Sequence, residues 1–178
     1  LLNVQRDIYN SMNGNGQFRR LRTELYNKIK YNCESNLTSN GISNSLLSND
    51  RQVLQFWVSQ VYSEIYFRNR HILSHYLRHF YSILLYVDKT TIEDKSFYYD
   101  ILSAQLNDDE LYILFYNTIT IHEDRFYRIF DDNGILNELT STGRVMEVHG
   151  NSFFPKTFPD ITSMEDFKNF DTFSLKVW

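Results

Sequence analysis

The sequence predicts an all-α protein, a multi-helix bundle that ends in a less regular C-terminal tail containing one short strand. Three observations carry that expectation. Apolar residues recur at three- and four-residue spacing along most of positions 1–140. Capping signals open several of those stretches, with Asn or Thr followed three residues later by Gln or Glu. The alternation that marks a half-buried strand occurs at one place only. A chain of 178 residues suits one domain with one sizeable core. The expected layout is a single domain over 1–178, with five to seven helices, a bundle over 1–140 and an irregular extension over 141–178.

The elements follow in order. Leu1, Val4, Ile8 and Met12 keep helical spacing, and Asn13-Gly14-Asn15-Gly16 breaks the chain. Phe18, Leu21, Leu25 and Ile29 form the next apolar stripe, so residues 17–31 read as a helix that pairs with the first in a hairpin. Residues 34–50 are rich in Ser and Asn and read as a flexible loop. A long helical pattern follows, with Asn49 and Gln52 as its capping box. Its first stripe is Leu54, Trp57, Val58, Val61, Tyr62 and Ile65. Its second is Leu73, Tyr76, Leu77, Phe80, Ile83, Leu84 and Val87. The pattern fits either one helix or two that meet near Arg68-Asn69.

Thr90 with Glu93 predicts the start of a helix presenting Phe97, Tyr98, Ile101 and Leu102. Asn107 with Glu110 predicts another. The helix after it, Leu111 to Ile121, is apolar on nearly all sides and belongs at the bundle centre. Asp131-Asp132-Asn133-Gly134 is a helix-end signal, and Ile135 to Leu139 reads as the start of one more helix. Val145, Glu147 and His149 alternate as a short strand would. Phe153-Phe154-Pro155 and Phe158-Pro159 read as turn or extended elements that lay rings over the bundle.

Composition narrows the function. A formal net charge of -4 gives no global attraction to nucleic acid. Clusters at Arg19, Arg20 and Arg22 and at Arg68, Arg70 and Arg78 leave room only for a local basic patch. The 13 Tyr and 14 Phe fit an aromatic core encoded by an AT-rich gene. Cys33 is the single cysteine, which excludes an internal disulfide framework and points to a reducing, cytoplasmic compartment. No apolar run reaches the ~18 residues of a membrane span, and no signal peptide is visible. The opening residue is Leu1 rather than Met, so the native protein is expected to continue upstream. No P-loop, GxGxxG, serine-nucleophile elbow or paired-carboxylate pattern is present, and no cofactor is expected.

Three stretches carry a family resemblance. His75-Tyr76-Leu77-Arg78-His79-Phe80-Tyr81-Ser82-Ile83-Leu84 resembles a HYFRxLYxIL signature. Ala104-Gln105-Leu106 through Glu110, then Leu114-Phe115-Tyr116-Asn117, resembles a RAQLSxxELxLLFYN stretch. Arg125 through Leu139 is similar to the segment that follows it. Together they resemble the phage abortive infection proteins, AbiC-like, in order and spacing, and Leu2 to Leu25 fits a weaker part of the same pattern. Ser103 stands where that family often has Arg. The resemblance implies a bacterial anti-phage role and a membrane-anchoring region upstream of this chain. It supplies no mechanism.

The residues themselves suggest where chemistry could sit. At 100° per residue, His71, His75, Arg78 and Ser82 fall within about 60° of one another on the face opposite the apolar stripe. Core packing gives no reason for His and Arg there. With His79, these residues are the candidate binding surface for a protein partner, a phage-derived trigger, an anion or RNA. His71, His75 and His79 recur at i, i+4 and i+8, with Glu64 one further helix run away, but no second ligand cluster supports a metal and none is expected.

Arg70 and His75 form an R-x4-H pair, which resembles the RNase motif of HEPN domains. There the Arg would hold a scissile phosphate and the His would move a proton, across a homodimer seam. Chance alone supplies about 0.3 such pairs in a chain of this composition, and Arg144 with His149 makes a second. Gln105, Glu110 and Asn117 read as a buried hydrogen-bond network that fixes helix register. Two functions follow as expectations: a sensor or effector module of phage defence acting through contacts, and an RNA endonuclease toxin using Arg70 and His75.

Overall fold

The computed structural model describes residues 16–38, 51–121, 124–139 and 144–158. Within them are six helices and no strand: α1 (Gln17–Thr38), α2 (Arg51–Lys89), α3 (Lys95–Ser103), α4 (Asp108–Thr120), α5 (Asp124–Asp132) and α6 (Arg144–Phe153). The expected first helix over 1–12, the Asn49 cap and the chain beyond Phe158 lie outside the described residues. The largest interface is between α2 and α4. Helix α1 packs on both, α3 and α6 lie against α2, and α5 lies against α4.

Helix α1 buries the expected stripe Phe18, Leu21, Leu25 and Ile29. It follows Gly16, whose φ of 62° suits a residue without Cβ, and whose carbonyl accepts from the Arg20 amide at 3.0 Å. The helix continues to Thr38, so residues 34–38 are helical and not part of a loop. Ser and Asn cost a helix only modestly, and extending a formed helix is far easier than nucleating one.

Helix α2 resolves the question of one helix or two. Two helical runs between Arg51 and Lys89 meet at a kink at Asn69, a non-helical residue with φ -112° and ψ 15°, at the position where the sequence allowed a break. Asn69 Nδ2 donates to the Ile65 carbonyl at 2.9 Å. A side chain that competes for a backbone acceptor one turn back is a known cause of helix bending. Before the kink Leu54, Val58, Val61, Tyr62 and Ile65 are buried, and after it Leu73, Tyr76, Leu77, Phe80, Leu84 and Val87. Two positions differ from expectation: Trp57 is exposed and Tyr81 is buried.

Helix α3 is capped four positions later than a Thr90–Glu93 capping box implies. The Thr90 amide still bonds to the end of α2, at the Tyr86 and Val87 carbonyls. Asp94 is the cap, accepting from the Phe97 amide at 3.2 Å. The helix buries Tyr99 and Leu102 and leaves Phe97, Tyr98 and Ile101 exposed, so the expected stripe is turned by about one residue.

Helix α4 is the centre of the bundle. Every residue from Glu110 to Ile119 is buried. Its capping box is complete, with the Glu110 amide donating to Asn107 Oδ1 at 2.9 Å and the Asn107 amide to Glu110 Oε2 at 3.1 Å. At its other end the Ile119 carbonyl accepts from Gln55 Nε2 at 2.7 Å and from the Tyr127 hydroxyl at 2.9 Å. Side chains thus satisfy a carbonyl left over at a buried helix end.

Helix α5 ends as the sequence indicates: Gly134 has φ 62°, and the Ile135 amide reaches back to the Phe130 carbonyl at 3.2 Å. No helix starts at Ile135. Residues 133–138 form successive turns that still bury Ile135 and Leu136, with Leu139 buried after them. The expected strand at 145–149 is replaced by α6. Five alternating residues are too few to separate a strand from a helix that buries one side. Phe153 and Phe154 are buried, and Phe154 meets Phe115 at 5.3 Å between ring centroids. The aromatic layer over the bundle is therefore real, although it is laid down by a helix end.

Candidate functional site

The second half of α2 sets out the candidate residues on two neighbouring faces. Arg70, His71, His75, Arg78 and Ser82 are all exposed, and His79 is half-buried. Arg70, His71, His75 and Arg78 form no hydrogen bond or ion pair with another described residue. The Ser82 hydroxyl donates to the Arg78 carbonyl at 2.7 Å, so its proton is engaged within its own helix. The His79 Nε2 is buried without a hydrogen-bond partner. Helical geometry thus brings His71, His75, Arg78 and Ser82 onto one open stripe and leaves His79 at its edge. Arg70 and His75 do not converge within one chain, since residues five apart on a helix point about 140° from each other.

The first half of α2 is different in character. Arg68 pairs with Glu24 of α1 at 2.5 Å and with Glu64 at 3.5 Å, and Lys28 of α1 also pairs with Glu64. Lys28 holds the Glu64 carboxyl below its usual range, with Arg68 adding a smaller pull. Glu64 is thereby committed to two cations. Among the described residues no group of three His, Cys, Asp or Glu is placed to share a metal ion.

The polar residues expected to form one network separate into three places. Gln105 is exposed, and its Nε2 donates to the Ile101 carbonyl at 3.2 Å. Glu110 and Asn117 are both buried, but about two turns of α4 apart. Glu110 belongs to the cap of α4. Burial raises its carboxyl to about 7, partly offset by the hydrogen bond from the Asn107 amide and by the nearby Tyr76 hydroxyl.

Asn117 opens onto a cleft of about 490 Å3, walled by α2 on both sides of the kink and by the last turn of α4. Ser59, Tyr62 and Asn117 line it, with Arg78 in its wall. The Ser59 hydroxyl, the Tyr62 hydroxyl and the Asn117 Oδ1 are all buried without a hydrogen-bond partner of proper geometry. Burial pushes the Tyr62 phenol far above its ordinary range, and the nearby Asn117 side chain only partly offsets this. Sequence reading did not find this cleft. Ser59 and Tyr62 look like ordinary helix positions; of the lining residues the sequence singles out Arg78, for the open face, and Asn117, for a buried network, with nothing to join the two.

Residues 68–141 match the model of a family described as Putative phage abortive infection protein. The abortive-infection match begins at Arg68, beside the kink, and takes in the second half of α2 with α3, α4 and α5. The motif stretches at 75–84, 104–117 and 125–139 all fall inside it, while the weaker likeness at Leu2 to Leu25 falls outside. The match supports a role in phage abortive infection. No curated protein and no solved structure matches the chain. No helix among the described residues is long and apolar enough to cross a membrane.

Proposed function

We propose that the chain serves phage abortive infection as a recognition module, receiving a protein partner or phage-derived trigger on the open stripe of α2. One observation carries this reading. Within the abortive-infection segment, His71, His75 and Arg78 stand exposed with no partner among the described residues; across the bundle Arg22, Arg51, Arg68 and Arg125 are all tied to carboxylates. Polar side chains committed to neither core nor ion pair can contact something else, and a guanidinium with two imidazoles suits an acidic or hydrogen-bonding surface.

The test is phage challenge of cells producing the full protein with His71→Ala, His75→Ala or Arg78→Ala. Loss of protection with an unchanged melting temperature is the expected result. Full protection in all three variants would overturn the reading.

A further inference from the structure

The cleft between α2 and α4 has the composition of a ligand pocket. Its floor carries three buried polar atoms, Ser59 Oγ, Tyr62 Oη and Asn117 Oδ1, none with a hydrogen-bond partner of proper geometry, although the Tyr62 hydroxyl and the Asn117 side chain lie near each other. Tyr62 is 2% exposed and Asn117 7%, so bulk water does not reach them freely. Each unsatisfied buried polar atom costs stability, and apolar packing would have been cheaper for the fold. Hydroxyl and amide groups together can both donate to and accept from a ligand's polar edge.

The walls add two further chemistries. The Tyr66 ring stacks against Tyr62, with centroids 6.2 Å apart and planes 25° apart, and Phe67 stands edge-on to Tyr66 at 6.0 Å. Both Tyr66 and Phe67 line the cleft, and Phe67 is 67% exposed. Aromatic faces of this kind accept a planar ring. Arg78, which makes no ion pair with a described residue, supplies a guanidinium suited to a phosphate. A volume of about 490 Å3 lies within the range of small-molecule sites.

We propose that this cleft binds a nucleoside monophosphate, the base lying against Tyr66 and Phe67 with its edge on Tyr62 and Asn117, and the phosphate on Arg78. The proposal goes beyond the recognition stripe and shares only Arg78 with it.

Isothermal titration calorimetry of the full chain tests it. The probes are the 5′-monophosphates of adenosine, guanosine, cytidine and uridine, the four parent nucleosides, and inorganic phosphate. At least one monophosphate binds, and its nucleoside and phosphate alone bind at least about tenfold more weakly. Tyr62→Phe removes a buried oxygen that has no well-formed hydrogen bond, so its melting temperature stays near the parent's while affinity falls roughly tenfold. Asn117→Ala also weakens binding, and Arg78→Ala weakens the monophosphate but not the nucleoside. If no monophosphate binds more tightly than about 1 mM, or if Tyr62→Phe and Asn117→Ala bind as well as the parent, the proposal is wrong. His71→Ala and His75→Ala leave this binding unchanged, so failure here is distinguishable from failure of the stripe reading.

Discussion

The two halves of α2 share one helix and one supporting wall, yet they treat charge in opposite ways. Before Asn69, Arg51, Glu64 and Arg68 are all paired, and Arg51 also lies over the Tyr127 ring at 4.4 Å. After it, Arg70, His71, His75 and Arg78 have no partner among the described residues. The first half uses its charges to fasten α1 and α5. The second half gives one charge to the fold, Asp88 paired with Arg125 of α5, adds the buried Tyr81–Thr118 hydrogen bond, and otherwise packs through apolar side chains, so its open His and Arg side chains are not used to hold it. A helix whose fold does not depend on its charged face is free to change that face for binding. The family match begins at the boundary between the two.

The contrast assumes that both halves lean on α4, and that is the part most easily broken. Phe115 is fully buried on α4 and meets Tyr116, Phe154 and Phe158 at 4.9, 5.3 and 5.9 Å between centroids. Phe115→Ala is expected to cost roughly 3–5 kcal/mol in denaturant unfolding. A loss below about 1 kcal/mol would mean that α4 is not the shared wall.

The next effect lies at the N-terminal end of the same helix and depends on pH. Glu110 has a carboxyl raised to about 7 in the fold, above its ordinary value of 4.5. The folded state therefore holds a proton that the unfolded chain releases. Stability is greatest below about pH 4.5 as far as this group is concerned, falls as pH rises, and reaches its full penalty above about 7. The size is about 3 kcal/mol. Glu110→Gln keeps an acceptor for the Asn107 amide and removes the titration. Its unfolding free energy should lose this slope between those pH values and exceed the parent's at pH 8. An unchanged slope would show that Glu110 is ionised in the fold.

Much of this was readable from residues close together in the chain. The centre of α4 announced itself through an unbroken apolar run and a capping box three residues wide. The stripe of His71, His75, Arg78 and Ser82 followed from helical spacing alone. What could not be read needed knowledge of the third dimension. The kink at Asn69 depends on a side chain choosing the Ile65 carbonyl, which spacing does not reveal. The strand expected at 145–149 failed because burial of His149 against Tyr116, at 5.7 Å between centroids, comes from tertiary packing. The cleft joins Ser59, Tyr62 and Arg78 to Asn117, which is remote in sequence, and no local pattern connects them.

A smaller effect sharpens the contrast from the paired side. Arg68 is about half exposed, and exposed pairs are screened by solvent and salt. Arg68→Ala should cost about 0.5–1 kcal/mol, less in high salt, and should leave phage protection intact. Protection lost without unfolding would move the functional boundary to the wrong side of the kink.

The smallest expected effect on stability separates contact from catalysis on the unpaired side. Arg70 and His75 are both exposed and have no partner among the described residues, so Arg70→Ala and His75→Ala should each change stability by less than about 0.5 kcal/mol. Their roles in protection should differ. His75 lies on the stripe with His71 and Arg78, whereas Arg70 points about 140° away from His75. On the recognition reading, His75→Ala loses protection and Arg70→Ala keeps it. A pair acting on one phosphodiester behaves otherwise. Both single variants would then lose protection together with RNA cleavage, and the double variant would be no worse than either, because residues of one catalytic unit are not additive. Sequencing cellular RNA ends before lysis reads that difference directly. New ends in the parent that vanish in both single variants would replace the contact module with a nuclease. Retained protection in Arg70→Ala would leave the stripe as the working face of α2.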